Sequence, residues 1–161
     1  MKKRMRITWI VVGVFVFLML IAGAVFARMF GTRYPDAVTE ADGVYMEWLE
    51  EPTRENLVFR IVNTSDNTVY GGSEYWLEYS FLGGWYSLPS WLMTSMTFDM
   101  DLLRVEGHTD DRTMREEPHK RFDPLPAGKY RIVKRFHTVE DFVLYENRNE
   151  YIDLYLEFEL D

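Results

Sequence analysis

Two kinds of hydrophobic pattern divide this chain. Residues Ile7 to Ala27 form an apolar run of twenty-one positions without a charge. At about 1.5 Å per residue, a helix of this length crosses a hydrocarbon core of about 30 Å. Beyond the run, apolar and polar residues alternate with a period of two in several short segments, as in strands packed on one face. The patterns predict an N-terminal helix followed by an all-β domain.

The alternating segments are short and are separated by turn residues. The clearest of them runs from Ile152 to Leu160, where every second residue is apolar and most of the residues between are acidic. Because the segments are rich in Tyr, Phe, Trp and Val, they favour an antiparallel β-sandwich. Between Val105 and Asp123 the charged sequence lacks this pattern, so we interpret it as a long exposed connection with at most one short strand. The predicted strands cover residues 44–49, 57–62, 75–80, 85–88, 130–135 and 152–160.

These patterns divide the chain into four parts. Residues 1–6 form a basic tail, 7–27 a membrane anchor, 28–43 a stalk without a clear apolar period, and 44–161 the β-sandwich domain. The 134 residues beyond the anchor are enough for one hydrophobic core. They contain no cysteine, so the fold must hold without disulfides.

Charges around the apolar run predict its orientation. Four basic residues precede the run and only Arg28 and Arg33 follow it closely. The N-terminus is therefore expected in the cytoplasm, and the C-terminal domain outside, after a single pass through the cell membrane. A secretory signal usually has a shorter apolar region of about 7–15 residues, which favours a retained anchor. A cleaved signal stays the alternative, because residues 22–24 and 25–27 offer small side chains to a peptidase.

The part of the chain beyond the anchor is strongly acidic. It carries all 26 acidic residues and 14 of the 18 basic ones, which gives a net charge of −12. A surface of this sign repels phosphate backbones, so nucleic acid is excluded as a partner. The charge otherwise favours solubility. The first predicted partner is the lipid bilayer, reached through residues 7–27.

The sequence motifs predict no catalytic, cofactor or metal site. His108, His119 and His137 lack the spacing of a zinc site, and the chain has no nucleophile elbow, glycine-rich phosphate loop or cysteine. The acidic pairs Asp99–Asp101 and Asp110–Asp111 could supply oxygen ligands for calcium. They lack the EF-hand pattern, however, and a solvated charge run is the favoured interpretation.

The segment Leu125–Tyr130 carries a signal for topology. In Greek-key sandwiches, a Tyr near the start of the sixth strand donates a hydrogen bond to upstream backbone and pins the crossover between the sheets. Gly128, two residues before Tyr130, allows a tight turn with a positive φ. We therefore predict that Tyr130 forms such a tyrosine corner. A plain Pro-Gly turn before a strand is the alternative.

Five motifs follow one another along the β region: Asn63-Thr64-Ser65-Asp66-Asn67, Tyr70-Gly71, Tyr75-x-Leu77-Glu78, Gly84-Trp85-Tyr86-x-Leu88-Pro89 and Leu125-Pro126-x-Gly128-Lys129-Tyr130-Arg131-Ile132-Val133-Lys134. Together they resemble the bacterial immunoglobulin-like domains found on surface proteins of Gram-positive bacteria, over roughly 44–161. The resemblance implies a Greek-key sandwich of about seven strands on an exported or membrane-tethered protein. It also implies Trp85, Gly128 and Tyr130 as structural motif residues, and no catalytic residues.

The resemblance and the lack of a catalytic motif indicate a non-enzymatic surface module that binds another protein or a wall polymer near the membrane. Trp76, Trp91 and Tyr155 fall outside the predicted core-facing sets and form a candidate contact patch, unless a loop covers them. Residues 104–123 and 136–150 depart from the family pattern, so we expect them to carry specificity. The rival hypothesis is a small exported hydrolase that uses carboxylates between positions 99 and 123.

Overall fold

The computed structural model describes residues 12–23, 25, 34–88, 103–122, 124–137 and 151–161. The chain divides into two compact units, Met1–Gly31 and Thr32–Asp161. In the first unit, residues 12–23 are helical and expose apolar side chains such as Phe15 and Leu20. Across the described residues, no helix is long and apolar enough to cross a membrane.

Within the described part of the second unit, ten strands form two sheets. The smaller sheet has the order β1-β2-β3-β8, and in the larger sheet β9 lies at the centre. β10 pairs along one edge of β9, while β5 and β4 share its other edge and carry β6 and β7 as outer neighbours. The strands are β1 (Glu40–Ala41), β2 (Val44–Trp48), β3 (Leu57–Asn63), β4 (Val69–Gly71), β5 (Trp76–Phe81), β6 (Gly84–Ser87), β7 (Leu103–Val105), β8 (Thr109–Glu116), β9 (Gly128–His137) and β10 (Tyr151–Leu160).

The structure confirms a mostly β domain with two sheets, but the sequence pattern misses β1, β4, β7 and β8. The interpretation of residues 105–123 as an exposed connection is wrong for most of its length. β8 pairs with β3 over eight residues, a 3-10 helix follows at Pro118–Lys120, and Val105 and Phe122 are buried. Because β8 exposes charged side chains such as Arg112 and Arg115, its sequence lacks a clear apolar alternation.

The strand count exceeds seven partly because one long strand is divided into β4 and β5. Both pair with the same edge of β9, and the ladder between them is interrupted at residues 72–75. The carbonyl oxygens of Gly72 and Glu74 accept hydrogen bonds from the Lys134 Nζ of β9 instead, at 3.2 and 3.1 Å. A buried lysine thus takes over backbone acceptors that a continuous strand would use.

The hydrophobic core lies between the two sheets. On β10, Leu154, Phe158 and Leu160 are buried, and Ile152 and Leu156 pack against the same core, which confirms the predicted alternation. Side chains from both sheets interdigitate there, as sheet-on-sheet packing requires. The other buried members include Val44, Leu57, Phe59, Ile61, Leu77, Tyr130, Ile132 and Phe136.

The domain begins earlier in the chain than the sequence predicts. Val38 adds a short parallel segment to the edge of β10, because its N–H donates to the Asp153 carbonyl and its carbonyl accepts from the Tyr155 N–H, both at 2.9 Å. Tyr34 is only 6% exposed, and β1 pairs with β2. The predicted stalk over 28–43 is therefore wrong from Tyr34 onward. Backbone hydrogen bonds to a sheet edge need no apolar period, so the pattern gives no sign of this segment.

Candidate functional site

Two members of the predicted contact patch lie together on the outer face of the larger sheet. Trp76 and Tyr155 flank Val133 of β9 in the register of β5, β9 and β10, and both are half-buried. The Tyr34 ring packs against Trp76 with 5.0 Å between ring centroids, so the N-terminal segment of the domain covers this face. Trp91, the third member, lies outside the described residues.

Arg131 lies at the centre of this outer face and is buried with its partner Glu78, the two side chains being 5% and 1% exposed. Its Nε and Nη2 donate to Glu78 Oε2 at 2.9 and 2.6 Å, and Nη2 also donates to the Tyr34 carbonyl at 3.0 Å. The guanidinium lies 4.9 Å from the Trp85 ring centroid and 5.0 Å from that of Tyr155. Trp85 and Tyr155 are thus engaged in cation–π contacts within the domain.

Arg135 repeats this arrangement further along β9. Its Nε and Nη2 donate to the two carboxylate oxygens of Asp153 at 2.7 and 2.8 Å, and this hydrogen bonding raises the pKa of Arg135. Its guanidinium also lies 3.9 Å from the Tyr151 ring centroid and 5.4 Å from that of Tyr34. Two arginines and several aromatic rings therefore clamp the N-terminal segment onto the sheet, which is a structural role for most of the predicted patch.

Tyr130 makes the hydrogen bond of a tyrosine corner. Its hydroxyl donates to the Pro126 carbonyl at 2.8 Å, and its ring stacks on Phe158 with 5.6 Å between centroids. Burial raises the pKa of Tyr130. Gly128 has a φ of +149°, a conformation that residues with a Cβ rarely adopt, and it begins β9 directly after the turn.

We expect Tyr130→Phe to lower the free energy of unfolding by about 1–3 kcal/mol, because the Pro126 carbonyl loses its donor in a partly buried position. Urea unfolding followed by tryptophan fluorescence measures the change. Tyr151→Phe is the matched control, since Tyr151 is 42% exposed, and it should change the free energy by less than about 0.5 kcal/mol. Equal losses in the two variants would contradict a stabilising role of the corner.

Lys134 is fully buried among core residues of β9, an unusual position for a lysine. Its Nζ lies 3.9 Å from Glu116 Oε1 and donates to the two backbone carbonyls of the interrupted ladder. Burial lowers the pKa of Lys134 to about 8, against the opposing attraction of Glu116, and burial also raises the pKa of Glu116. Sequence reasoning misses both residues, although Lys134 shares the core-facing parity of Tyr130 and Ile132.

Each of the three histidines has its own surroundings in the described part of the chain. His108 Nε2 lies 2.9 Å from Asp66 Oδ1, and His119 Nδ1 lies 3.2 Å from the Glu55 carbonyl. His137 is half-buried on β9, and burial lowers its pKa. In the part of the chain that the structure describes, no three acidic or histidine side chains form a possible metal site. Of the acidic pairs considered for calcium, Asp99–Asp101 lies outside the described residues and Asp110–Asp111 belongs to β8.

The hairpin between β5 and β6 ends in an exposed apolar tip, Phe81–Gly84. Leu82 is 89% exposed and Phe81 is 47% exposed. Leu82 and Gly83, the two central residues of the turn, have φ angles of +49° and +80°, the pattern of a type I′ turn. The rings of Tyr79, Phe81 and Tyr86 lie 6.0 to 6.4 Å apart beside the turn. Sequence reasoning identifies this turn by its glycines but not the exposed leucine.

A second turn of the same type in this chain has one of the residue pairs that are preferred in type I′ turns. Asp42 and Gly43 join β1 to β2 with φ angles of 50° and 78°, nearly those of Leu82 and Gly83. Asp-Gly is a preferred sequence for this turn, whereas a bulky residue with a positive φ costs about 1–2 kcal/mol. A leucine that is both strained and exposed does not serve the fold, which makes the tip the best candidate for an external contact.

Two sheets that enclose one core, with a tyrosine corner at the start of β9, define an immunoglobulin-like β-sandwich. A family model described as a bacterial Ig-like domain matches residues 41–155, and the chain belongs to this family. The match confirms the resemblance to bacterial immunoglobulin-like domains, and domains of this family are generally non-catalytic. Comparison with curated proteins and with solved structures gave no match.

Proposed function

We propose that this protein is a non-enzymatic, membrane-anchored module whose immunoglobulin-like domain lies outside the cell and binds another protein or a wall polymer. Family membership over residues 41–155 supports a binding module. The uncharged run over residues 7–27 and the four basic residues before it support the anchor and its orientation.

The exposed Phe81–Gly84 tip carries the binding role. A protruding leucine with an aromatic residue beside it fits an apolar pocket on another protein. Removing these apolar side chains from water would contribute favourably to the free energy of binding. Leu82 loses nearly all of its exposed area only in such a pocket. The tip therefore favours a protein as its partner.

The hydrolase alternative gains no support from the acidic residues around β8. Glu116 has a raised pKa, but its carboxylate is almost enclosed and lies beside Lys134 inside the sandwich. Glu117, the next residue, lies outside the core, and its hydrogen bond with Lys120 lowers its pKa. A catalytic pair needs two carboxylates that both reach a substrate, and these two do not.

Photo-crosslinking in intact cells tests the role of the tip. The full-length protein receives a photoreactive phenylalanine analogue at position 81, which keeps Leu82 in place. The same analogue at position 151 is the matched control, because Phe81 and Tyr151 are similarly exposed, at 47% and 42%. We expect one discrete protein adduct from position 81 that position 151 does not give. Identical adduct patterns, or none from position 81, would refute binding through the tip.

Leu82→Asn should separate stability from binding. Asparagine tolerates the positive φ of this turn, so we expect the free energy of unfolding to rise by about 0.5–1 kcal/mol in urea unfolding. The same substitution removes the apolar side chain, so the adduct from position 81 should disappear. Asp42→Asn in the other turn is the control and should leave the adduct unchanged. If Leu82→Asn keeps the adduct, the leucine is not the contact.

A further inference from the structure

A groove of about 320 Å³ lies on the outer face of the smaller sheet, at the end where β3 leads into the Thr64–Asn67 turn. Tyr45 of β2 and Val62 of β3 are cross-strand partners in its lining, and Arg60 lies two residues before Val62. Thr64, His108 and Thr109 complete its polar side. Its volume falls at the lower end of the range of about 300–1,000 Å³ for small-molecule sites.

The wall of this groove is rigid because the side chain of Asn63 ties the Thr64–Asn67 turn to the end of β7. Its amide nitrogen donates to the carbonyls of Asn67 at 2.7 Å and Val105 at 3.2 Å, and its amide oxygen accepts from the Ser65 N–H at 3.1 Å. Asn63 itself is fully buried. A site whose wall is already ordered loses little conformational entropy when a ligand binds.

The turn before β8 is packed against the same loop. The His108 N–H donates to the Ser65 carbonyl at 3.2 Å, and His108 holds a left-handed φ of +59°. A Cβ on Gly107 would lie 2.5 Å from the Ser65 oxygen, so only glycine fits there. His108 is thereby fixed at the edge of the groove, where its ring meets Asp66 at 2.9 Å.

The basic side chains around the groove already have partners. The Arg60 guanidinium pairs with Glu47, and His108 pairs with Asp66. The carboxylates of Glu47 and Asp66, which lie beside these groups, repel an anionic ligand at a cost in free energy. A neutral ligand with many hydroxyls meets no such cost, because threonine hydroxyls and paired charged groups still offer further hydrogen-bonding capacity. The Tyr45 ring supplies an apolar surface for the C–H face of a sugar ring.

We propose that this groove binds a neutral sugar unit of a glycan chain. The proposal extends the wall-polymer part of the proposed function and places it on the sheet opposite to the one that carries the Phe81–Gly84 tip. Tyr45 provides the stacking surface, while Thr64, Thr109 and His108 provide hydrogen bonds. One domain then holds a glycan through one sheet while a protein docks on the tip of the other.

Saturation-transfer difference NMR with the full-length protein in nanodiscs tests the groove. The probe is N,N′-diacetylchitobiose, with digalacturonic acid as the anionic comparison and empty nanodiscs as the blank. We expect transfer to the ring protons of the neutral disaccharide and a weaker signal from the acidic one. No transfer to the neutral sugar, or stronger transfer to the acidic sugar, would overturn the proposal.

Variants at Tyr45 show whether the groove is the place of binding. Tyr45→Ala should weaken the affinity by about threefold to tenfold, because the stacking surface is lost, whereas Tyr45→Phe keeps the ring and should bind as the wild type does. Tyr151→Ala removes an exposed ring from the larger sheet and should have no effect. Equal binding by Tyr45→Ala and wild type would also overturn the proposal. The crosslinking result at position 81 does not depend on any of these outcomes.

Discussion

Replacing Arg131 by methionine alone should lower the free energy of unfolding by about 3–5 kcal/mol, the loss expected when one partner of a buried ion pair is removed. The methionine keeps the apolar stem but leaves the Glu78 carboxylate buried without its cation. It also removes the donor to the Tyr34 carbonyl and both cation–π contacts of the guanidinium. Urea unfolding of the Thr32–Asp161 unit measures this loss.

The double variant Arg131→Met/Glu78→Met shows whether the loss of stability comes from an unpaired charge or from lost packing. Removing both charges together should recover most of the loss, because no buried carboxylate remains uncompensated. The exposed pair Arg115–Glu50, with 55% of each side chain exposed, is the control, and Glu50→Ala should cost less than about 1 kcal/mol. If the double variant is as unstable as Arg131→Met, the loss comes from packing and not from the charge.

Alternation predicts which way a side chain points but not what lies over it. The pattern places Arg131 on the polar face of β9, and the structure agrees, yet the residue is buried. Its cover is Tyr34, which lies 97 positions earlier in the sequence. A contact of that separation leaves no periodic signal, so the strands of the larger sheet could be predicted and the arginine–aromatic clamp could not.

The candidate sites are hidden from the sequence for a related reason. Gly83-Gly84 marks a turn, but the exposure of Leu82 depends on the hairpin extending beyond its neighbours. The groove beside Tyr45 depends on the hydrogen bond from Asn63 to Val105 of β7, which lies 42 residues further along the chain. Strands and turns can be predicted because they depend on residues that are close together in the sequence. The two candidate surfaces depend on residues that are far apart in the sequence, so no local pattern predicts them.

Stability should also depend on pH through Lys134. Its pKa is about 8 in the folded protein, against the ordinary lysine value of 10.5 that applies to the unfolded chain. Between these values the unfolded chain binds more protons than the folded one, so the free energy of unfolding rises with pH. From pH 7.5 to 9.5 we expect the free energy of unfolding to rise by about 2 kcal/mol. The full difference between the two pKa values of Lys134 would give at most about 3 kcal/mol. Above pH 10 the raised pKa values of Tyr75 and Tyr130 act in the opposite direction, so the measurement stops below that point.

Two lysines of the same strand make the test specific. Lys134→Met should abolish the rise between pH 7.5 and 9.5, whereas Lys129→Met, at an exposed position of β9, should keep it. The pKa of Glu116 is raised by burial, so its titration changes stability with the opposite slope. Urea unfolding at intervals of half a pH unit resolves the slopes. The same slope in wild type and Lys134→Met would show that another group carries the dependence, and that the buried lysine keeps its proton through this range.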